Sequence, residues 1–187
     1  MSLAGAVLAG GASRRMGRAK AFIEVDGRPM VRRVADALTA AGADPVVVIG
    51  GDAPRLDALG LAVVADRHPG EGPLGGIITA LTAADGADAV AVLACDLVAA
   101  SPVEVQRLAA TLPGHDVAVP VVDGRRQWAH AVWSPAALPA LEAAFATGER
   151  APRRAVSDLV VVDVAVDDPR AYADADTPDD LPPGATH

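Results

Sequence analysis

The chain has 187 residues, a formal net charge of −8, 51% hydrophobic residues and only 3% aromatics. That length carries a full core of Ala, Val and Leu, expected as a single domain over 1–187. The acidic balance excludes duplex nucleic acid as the main partner, and no apolar run is long enough to span a bilayer.

The apolar run 3–9 reads as a buried strand. It stops at Gly10-Gly11 and passes into a loop carrying Arg14, Arg15, Arg18 and Lys20. Paired glycines permit positive φ and a close backbone approach, and successive N–H groups in such a turn form a nest for anions. The added cations suit a polyanion such as a nucleoside triphosphate. The spacing is neither that of a Walker A loop nor that of a dinucleotide fingerprint. The alternative is a basic loop that only solubilises the chain.

Residues 21–27 read as a short extended piece and a turn. Residues 29–42 read as a helix with Pro29 in its first turn and Gly42 as its stop. Residues 45–49 form a fully apolar short run, hence a buried strand, ended by Gly50-Gly51. A further strand is expected over 61–65, ending at Asp66. Residues 70–76 (Gly-Glu-Gly-Pro-Leu-Gly-Gly) read as a loop, 77–84 as a helix, and 87–94 as the next buried strand, ending at Cys95-Asp96.

Ser101-Pro102-Val103-Glu104 has capping-box spacing and opens a helix to about 112. Residues 116–122 read as a strand, Asp123-Gly124 as a turn and 128–133 as extended. Ser134-Pro135 opens a helix to about 147, with Gly148 as its stop. Residues 151–159 read as helical, 160–166 as a strand, and 182–187 as a frayed tail. Strands alternating with helices imply a mostly parallel α/β sheet covered on both faces, with ligands outside the strands' carboxyl ends. The polar punctuation at Gly10-Gly11, Gly50-Gly51, Asp66 and Asp96 falls at those ends.

Asp96 directly follows an apolar strand and suits a hard cation such as Mg²⁺, which pairs one or two carboxylates with substrate phosphates. Asp174 and Asp176 point the same way if their segment is extended, and either would complete such a site; a solvated acidic segment is the alternative. Asp66 suits a base or ribose. The run Gly72-Pro73-Leu74-Gly75-Gly76 would let a flat group approach the backbone, or form an ordinary turn. His130 has no metal partner at ligand spacing. Cys95, the only cysteine, reads as core packing; it excludes an internal disulfide and fits a reducing, cytoplasmic compartment. No signal peptide is expected, since the first apolar run is short and leads into the glycine loop.

The run Leu8-Ala9-Gly10-Gly11-x-Ser13-x-Arg15-Met16-Gly17-x-x-Lys20 resembles the N-terminal signature of the molybdenum cofactor guanylyltransferase family. The likeness continues through Gly27-Arg28-Pro29-Met30, Gly72-Pro73-Leu74-Gly75-Gly76, Cys95-Asp96 and Asp176-Thr177-Pro178-Asp179-Asp180-Leu181. It implies a Rossmann-like three-layer sandwich of nucleotidyltransferase type, with GTP and molybdopterin as substrates, Mg²⁺ as cofactor and pyrophosphate as product. A monomer or weak oligomer is expected, with transient cofactor-delivery or acceptor proteins as further partners.

By the same resemblance, Leu8, Ala9, Gly10 and Gly11 hold the nucleotide, Arg15 and Lys20 bind its phosphates, and Asp66 faces the nucleoside with Gly72, Pro73, Leu74 and Gly75 nearby. Asp96 is the magnesium ligand, and Asp176 a second metal or substrate contact. Three positions depart from the family pattern: Ala19 precedes the lysine where many members have aspartate, Ile49 stands where some guanylyltransferases have asparagine, and Gln127-Trp128-Ala129 replaces Gln-Pro-Leu. Trp128 then either stacks on a pterin ring or packs. The departure at Ile49 leaves open a cytidylyl or other nucleotidyl transfer, to molybdopterin or another phosphorylated acceptor. Those at Ala19 and Ile49 leave open a non-catalytic nucleotide-binding module.

Overall fold

The structure is a computed structural model that describes residues 1–10, 20–175, 177–182 and 185. Its strands are β1 (Leu3–Leu8), β2 (Glu24–Val25), β3 (Arg28–Pro29), β4 (Val46–Ile49), β5 (Ala62–Val64), β6 (Ala89–Ala94), β7 (Val117–Val122), β8 (Arg125–Arg126), β9 (Val132–Trp133) and β10 (Val161–Ala165). Its α-helices are α1 (Met30–Ala40), α2 (Ala53–Ala58), α3 (Pro73–Ala83), α4 (Pro102–Thr111), α5 (Leu138–Ala146) and α6 (Pro152–Ala155).

One sheet runs β10-β7-β9-β6-β1-β4-β5, with β8 paired to β7. The pairs β1–β4, β1–β6, β4–β5 and β7–β10 are parallel, while β9 runs antiparallel between β6 and β7. From β1 the chain moves out through β4 to β5, then crosses back through α3 to β6 on the other side. The switch of direction lies between β1 and β6, where a crevice must open at the strands' carboxyl ends.

Period-two alternation sorts the strand residues between two faces. Along β6, Ala89, Ala91 and Leu93 join the core under α1, α2 and α4. Val90 and Val92 join the core under α3, α5 and α6. Two cores on opposite faces of one sheet make the three-layer α/β sandwich that the sequence implied. Gly5 lets α1 lie close on β1: a Cβ there would stand 3.2 Å from Leu38 Cβ and 3.0 Å from Val46 Cγ2. A third cluster joins Ile23, Val25 and Met30 to Ala175, so the β2–β3 hairpin is packed on the C-terminal segment.

Several local expectations are corrected. The helix α2 was missed: it is one short turn and a half, and its signals, Asp52 accepting from the Arg55 N–H and a proline in the first turn, fell between two strands. Helix α3 begins at Pro73, so Leu74, Gly75 and Gly76 are helical and not loop. Residues 128–133 are a 3₁₀ turn (Trp128–His130) followed by β9, and the short strand β8 precedes them. The helix at Ser134-Pro135 starts as a 3₁₀ turn, and α6 covers only Pro152–Ala155 of the expected 151–159. Ser101 caps α4 as read, but Glu104 does not complete the box; its Oε1 accepts from the Asp167 N–H. Of the tail, residues 183, 184, 186 and 187 lie outside the described residues.

Gly5→Val is expected to destabilise the fold by about 1–3 kcal/mol, because the added methyls overfill the α1–β1 contact. A lowered urea midpoint with an unchanged slope is the measurement.

Candidate functional site

The ends of β1, β4, β5 and β6 surround a cavity of about 370 Å³. Its wall includes Leu8 at the end of β1 with Ala9 and Gly10 beyond it, Ile49 at the end of β4 with Gly51 and Asp52 beyond it, Asp66 after β5, and Cys95 and Asp96 after β6. Lys20, Ala21 and Phe22 close one side, and Gly70, Gly72, Pro73 and Gly76 another. Gly50 allows the first three strand ends to converge. Its φ is +71°, and a Cβ there would stand 3.3 Å from Gly10 Cα and 3.4 Å from Asp66 Cβ.

At the β6 end, Lys20 Nζ lies 3.1 Å from Asp96 Oδ2, with the two side chains 12% and 19% exposed. The Asp96 carbonyl accepts from the Ala175 N–H at 2.9 Å. At the β5 end, Asp66 Oδ1 accepts from the His68 N–H at 3.0 Å and lies 3.1 Å from the Thr79 hydroxyl. Thr79 is buried and also accepts from the Arg67 N–H. A Cβ on Gly10 would sit 3.3 Å from Asp66 Oδ2, so that oxygen is turned toward the β1 turn. The cavity is therefore polarised. A cation–carboxylate pair stands at one end and hydrogen-bond acceptors at the other, several strand spacings of about 4.8 Å apart.

The 70–72 wall is braced from outside. Arg150 pairs with Glu71, donates to the Phe145 carbonyl and stacks 3.8 Å over the Phe145 ring, which in turn lies 4.4 Å from His68. Cys95 stands in the cavity wall beside Asp96. Burial, then the Asp96 carboxylate, pushes its thiol up to about 12 against the opposing pull of Lys20.

Residues 5–164 match the family model described as the MobA-like NTP transferase domain. The chain belongs to this family. Among curated relatives, it is 37% identical over 186 residues to the molybdenum cofactor guanylyltransferase of Rhodobacter capsulatus, covering 97% of this chain and 94% of that one. It is 39% identical over 164 residues to the probable molybdenum cofactor guanylyltransferase of Opitutus terrae, covering 85% and 80%. Among solved structures, the molybdopterin-guanine dinucleotide biosynthesis protein A of Archaeoglobus fulgidus superposes with a TM-score of 0.79 at 25% identity, covering 97% and 95%.

In this MobA-like domain the cavity gathers Leu8, Ala9, Gly10, Lys20, Asp66, Gly72, Pro73 and Asp96 of the residues singled out from the sequence. Leu74 and Gly75 are not brought to it. Leu74 is fully buried in the α3 core, and a Cβ on Gly75 would stand 2.7 Å from His68 Cβ, so Gly75 serves close helix packing. Gly11, Arg15 and Asp176 lie outside the described residues. Trp128 packs against Trp133 and under Arg126, and its neighbour Ala129 is the residue that reaches the cavity.

The sequence reading missed Asp52 and Phe22 in the wall and the Glu71–Arg150 brace. Asp52 carried the usable signal, an N-cap type ahead of a proline. The brace joins residues far apart in sequence and carries none. His130, set aside as a metal ligand, is buried and hydrogen-bonded to both the β6 end and Asp174.

Thr79→Val is expected to cost about 1–3 kcal/mol, because it strips a buried partner from Asp66 and from the Arg67 N–H; urea unfolding measures it. For Cys95 the raised value means less thiolate in the folded chain than in the unfolded one, whose ordinary value is 9.0. The contribution to stability is full below pH 9 and is lost as pH rises toward about 12. At pH 8 iodoacetamide is expected to label the native protein far more slowly than the urea-unfolded chain, as read by mass spectrometry.

Proposed function

We propose that this chain transfers GMP from GTP to the phosphate of molybdopterin, releasing pyrophosphate and forming molybdopterin guanine dinucleotide, in the cytoplasm. The observation that carries the reading is the Lys20–Asp96 pair at one end of a cavity built on the strand switch, in a chain of the MobA-like family. The names borne by its relatives from Rhodobacter capsulatus and Opitutus terrae supply the substrates.

The chemistry follows from charge. An acceptor phosphate attacks the α-phosphorus, and negative charge spreads toward the leaving pyrophosphate. The protein's task is positioning and electrostatic stabilisation. Lys20, with Arg15, neutralises the leaving group. The turn at Ala9-Gly10 presents backbone to the phosphates, and Asp66 accepts hydrogen bonds from the nucleoside. A phosphate acceptor is already anionic at neutral pH, so no protein base is needed.

The donor set fits Mg²⁺. Asp96 offers one hard carboxylate at the wall, and the described residues contain no cluster of three His, Cys, Asp or Glu that would cage a metal without substrate. Asp96 would hold the ion, with Asp176 as a further contact, and the ion when bound supplies charge neutralisation at the triphosphate. A second reading, transfer from CTP, is favoured by one observation: Ile49, almost fully buried at the cavity wall, offers no polar side chain to a guanine.

Lys20→Ala and Asp96→Ala are each expected to lower turnover at least about 100-fold with unchanged far-UV circular dichroism. Pyrophosphate release with molybdopterin and each of the four triphosphates separates the readings. GTP alone should be active, activity should vanish with EDTA, and excess Mg²⁺ should restore it. Full turnover by both variants would remove the site assignment.

A further inference from the structure

The segment between β5 and α3 carries Asp66 near its start and Gly72 at its end. Its start is anchored from within: Asp66 Oδ1 accepts from the His68 N–H, and the Arg67 N–H donates to the Thr79 hydroxyl at 3.1 Å. Further on, the Glu71 N–H donates to the His68 carbonyl at 3.1 Å. Gly70 and Gly72 flank Glu71 with φ of +78° and +83°. Two such glycines around one residue make a stretch whose own backbone does not lock it. Both glycines line the cavity. Glu71 between them does not line it, and its carboxylate pairs instead with Arg150.

Arg150, between α5 and α6, is itself held in place. Its N–H donates to Glu149 Oε1 at 2.7 Å, and its Nη1 donates to the carbonyls of Phe145 and Glu149 at 2.9 Å and 2.8 Å. Its guanidinium lies 3.8 Å over the Phe145 ring, and that ring lies against His68. With Nη1 and one face committed, Nε goes to Glu71. A Cβ on Gly72 would stand 3.6 Å from the Arg150 carbonyl, so the Arg150 backbone backs the second glycine as well. The planar fork makes such an anchor pre-organised. Yet the pair it forms is 39% and 48% exposed, and exposed pairs add little to overall stability. A guanidinium fixed this fully, for a pair of small stability value, serves position: it decides where the loop stands.

We propose that Arg150 is a positioning residue for the nucleoside half of the triphosphate. Through Glu71 it holds Gly70–Gly72 as a fixed backbone wall, on the loop that also carries Asp66. Released from Arg150, the loop samples arrangements in which the wall is withdrawn. Only the closed fraction binds, so the apparent affinity falls by that fraction. Once the nucleotide is bound, the Lys20–Asp96 end is unchanged. The inference rests on the transferase reading above and deepens it.

The test uses the full chain, with calorimetric titration of α,β-methylene-GTP in excess Mg²⁺ and steady-state kinetics with molybdopterin. Arg150→Ala and Glu71→Ala are each expected to weaken analogue binding and raise KM for GTP about fivefold, with kcat within about twofold of the parent. The double variant should lose no more than either single one. The sign for Glu71→Ala is decisive, because removing an acid near a polyanion would by charge alone tighten binding. Arg154→Ala removes a cation from the neighbouring pair with Glu149, away from the loop, and should bind like the parent. In the free protein, hydrogen exchange at the Glu71 amide should quicken in both loop variants and slow again with the analogue.

If Glu71→Ala binds the analogue as well as the parent or better, or Arg154→Ala weakens it as much as Arg150→Ala, or kcat falls while KM holds, the positioning role is wrong. A parent protein that neither binds the analogue nor turns over any triphosphate removes the transferase reading instead. Normal parent turnover with unaffected variants removes only the role of Arg150.

Discussion

The Lys20–Asp96 ion pair joins the segment entering the β2–β3 hairpin to the end of β6, across the point where the strand order reverses. Both side chains are largely withdrawn from water, where an ammonium and a carboxylate offset part of each other's desolvation cost. The pair also states the chemistry in miniature. The ammonium offers what a phosphate needs, and the carboxylate offers what a hard cation needs.

The rest of the architecture keeps that pair where a nucleotide can reach it. The cluster of Ile23, Val25, Met30 and Ala175 packs the hairpin onto the C-terminal segment, and that segment is in turn bonded to the Asp96 carbonyl. Lys20 and Asp96 are thus held by apolar packing on one side and backbone hydrogen bonds on the other. At the opposite end, Thr79 and the His68 N–H occupy one oxygen of Asp66, leaving the other turned toward the β1 turn. A net charge of −8 makes the local cation at Lys20 stand out as the place where a polyanion is welcome in an otherwise repelling molecule.

Much of the frame was readable in advance for a simple reason. β1, β4 and β6 are short runs of unbroken apolar residues, the signature of strands buried on both faces, and each ends at glycine or aspartate. Helix α2 escaped because a helix that short shows no periodicity. The glycines at 75 and 76 misled because glycine marks close approach of any kind: here the approach is of helix to side chain, with His68 and Leu8 filling the space. His130 looked idle because its partners, Ala94 and Asp174, lie far along the chain on either side.

The sequence by itself determined the layering of the fold, the glycine turn after the first strand, Lys20 as a cation of the loop that follows it, and Asp66 and Asp96 as groups at strand ends, since these follow from local composition and period. Only the tertiary structure decided which of them meet. Strand order is set by long-range pairing, and that order put β6 beside β1, brought Lys20 onto Asp96, turned Leu74 and Gly75 into core and gave His130 two partners. Local patterns say where a chain will be buried; which burial faces which is fixed only when the whole sheet assembles.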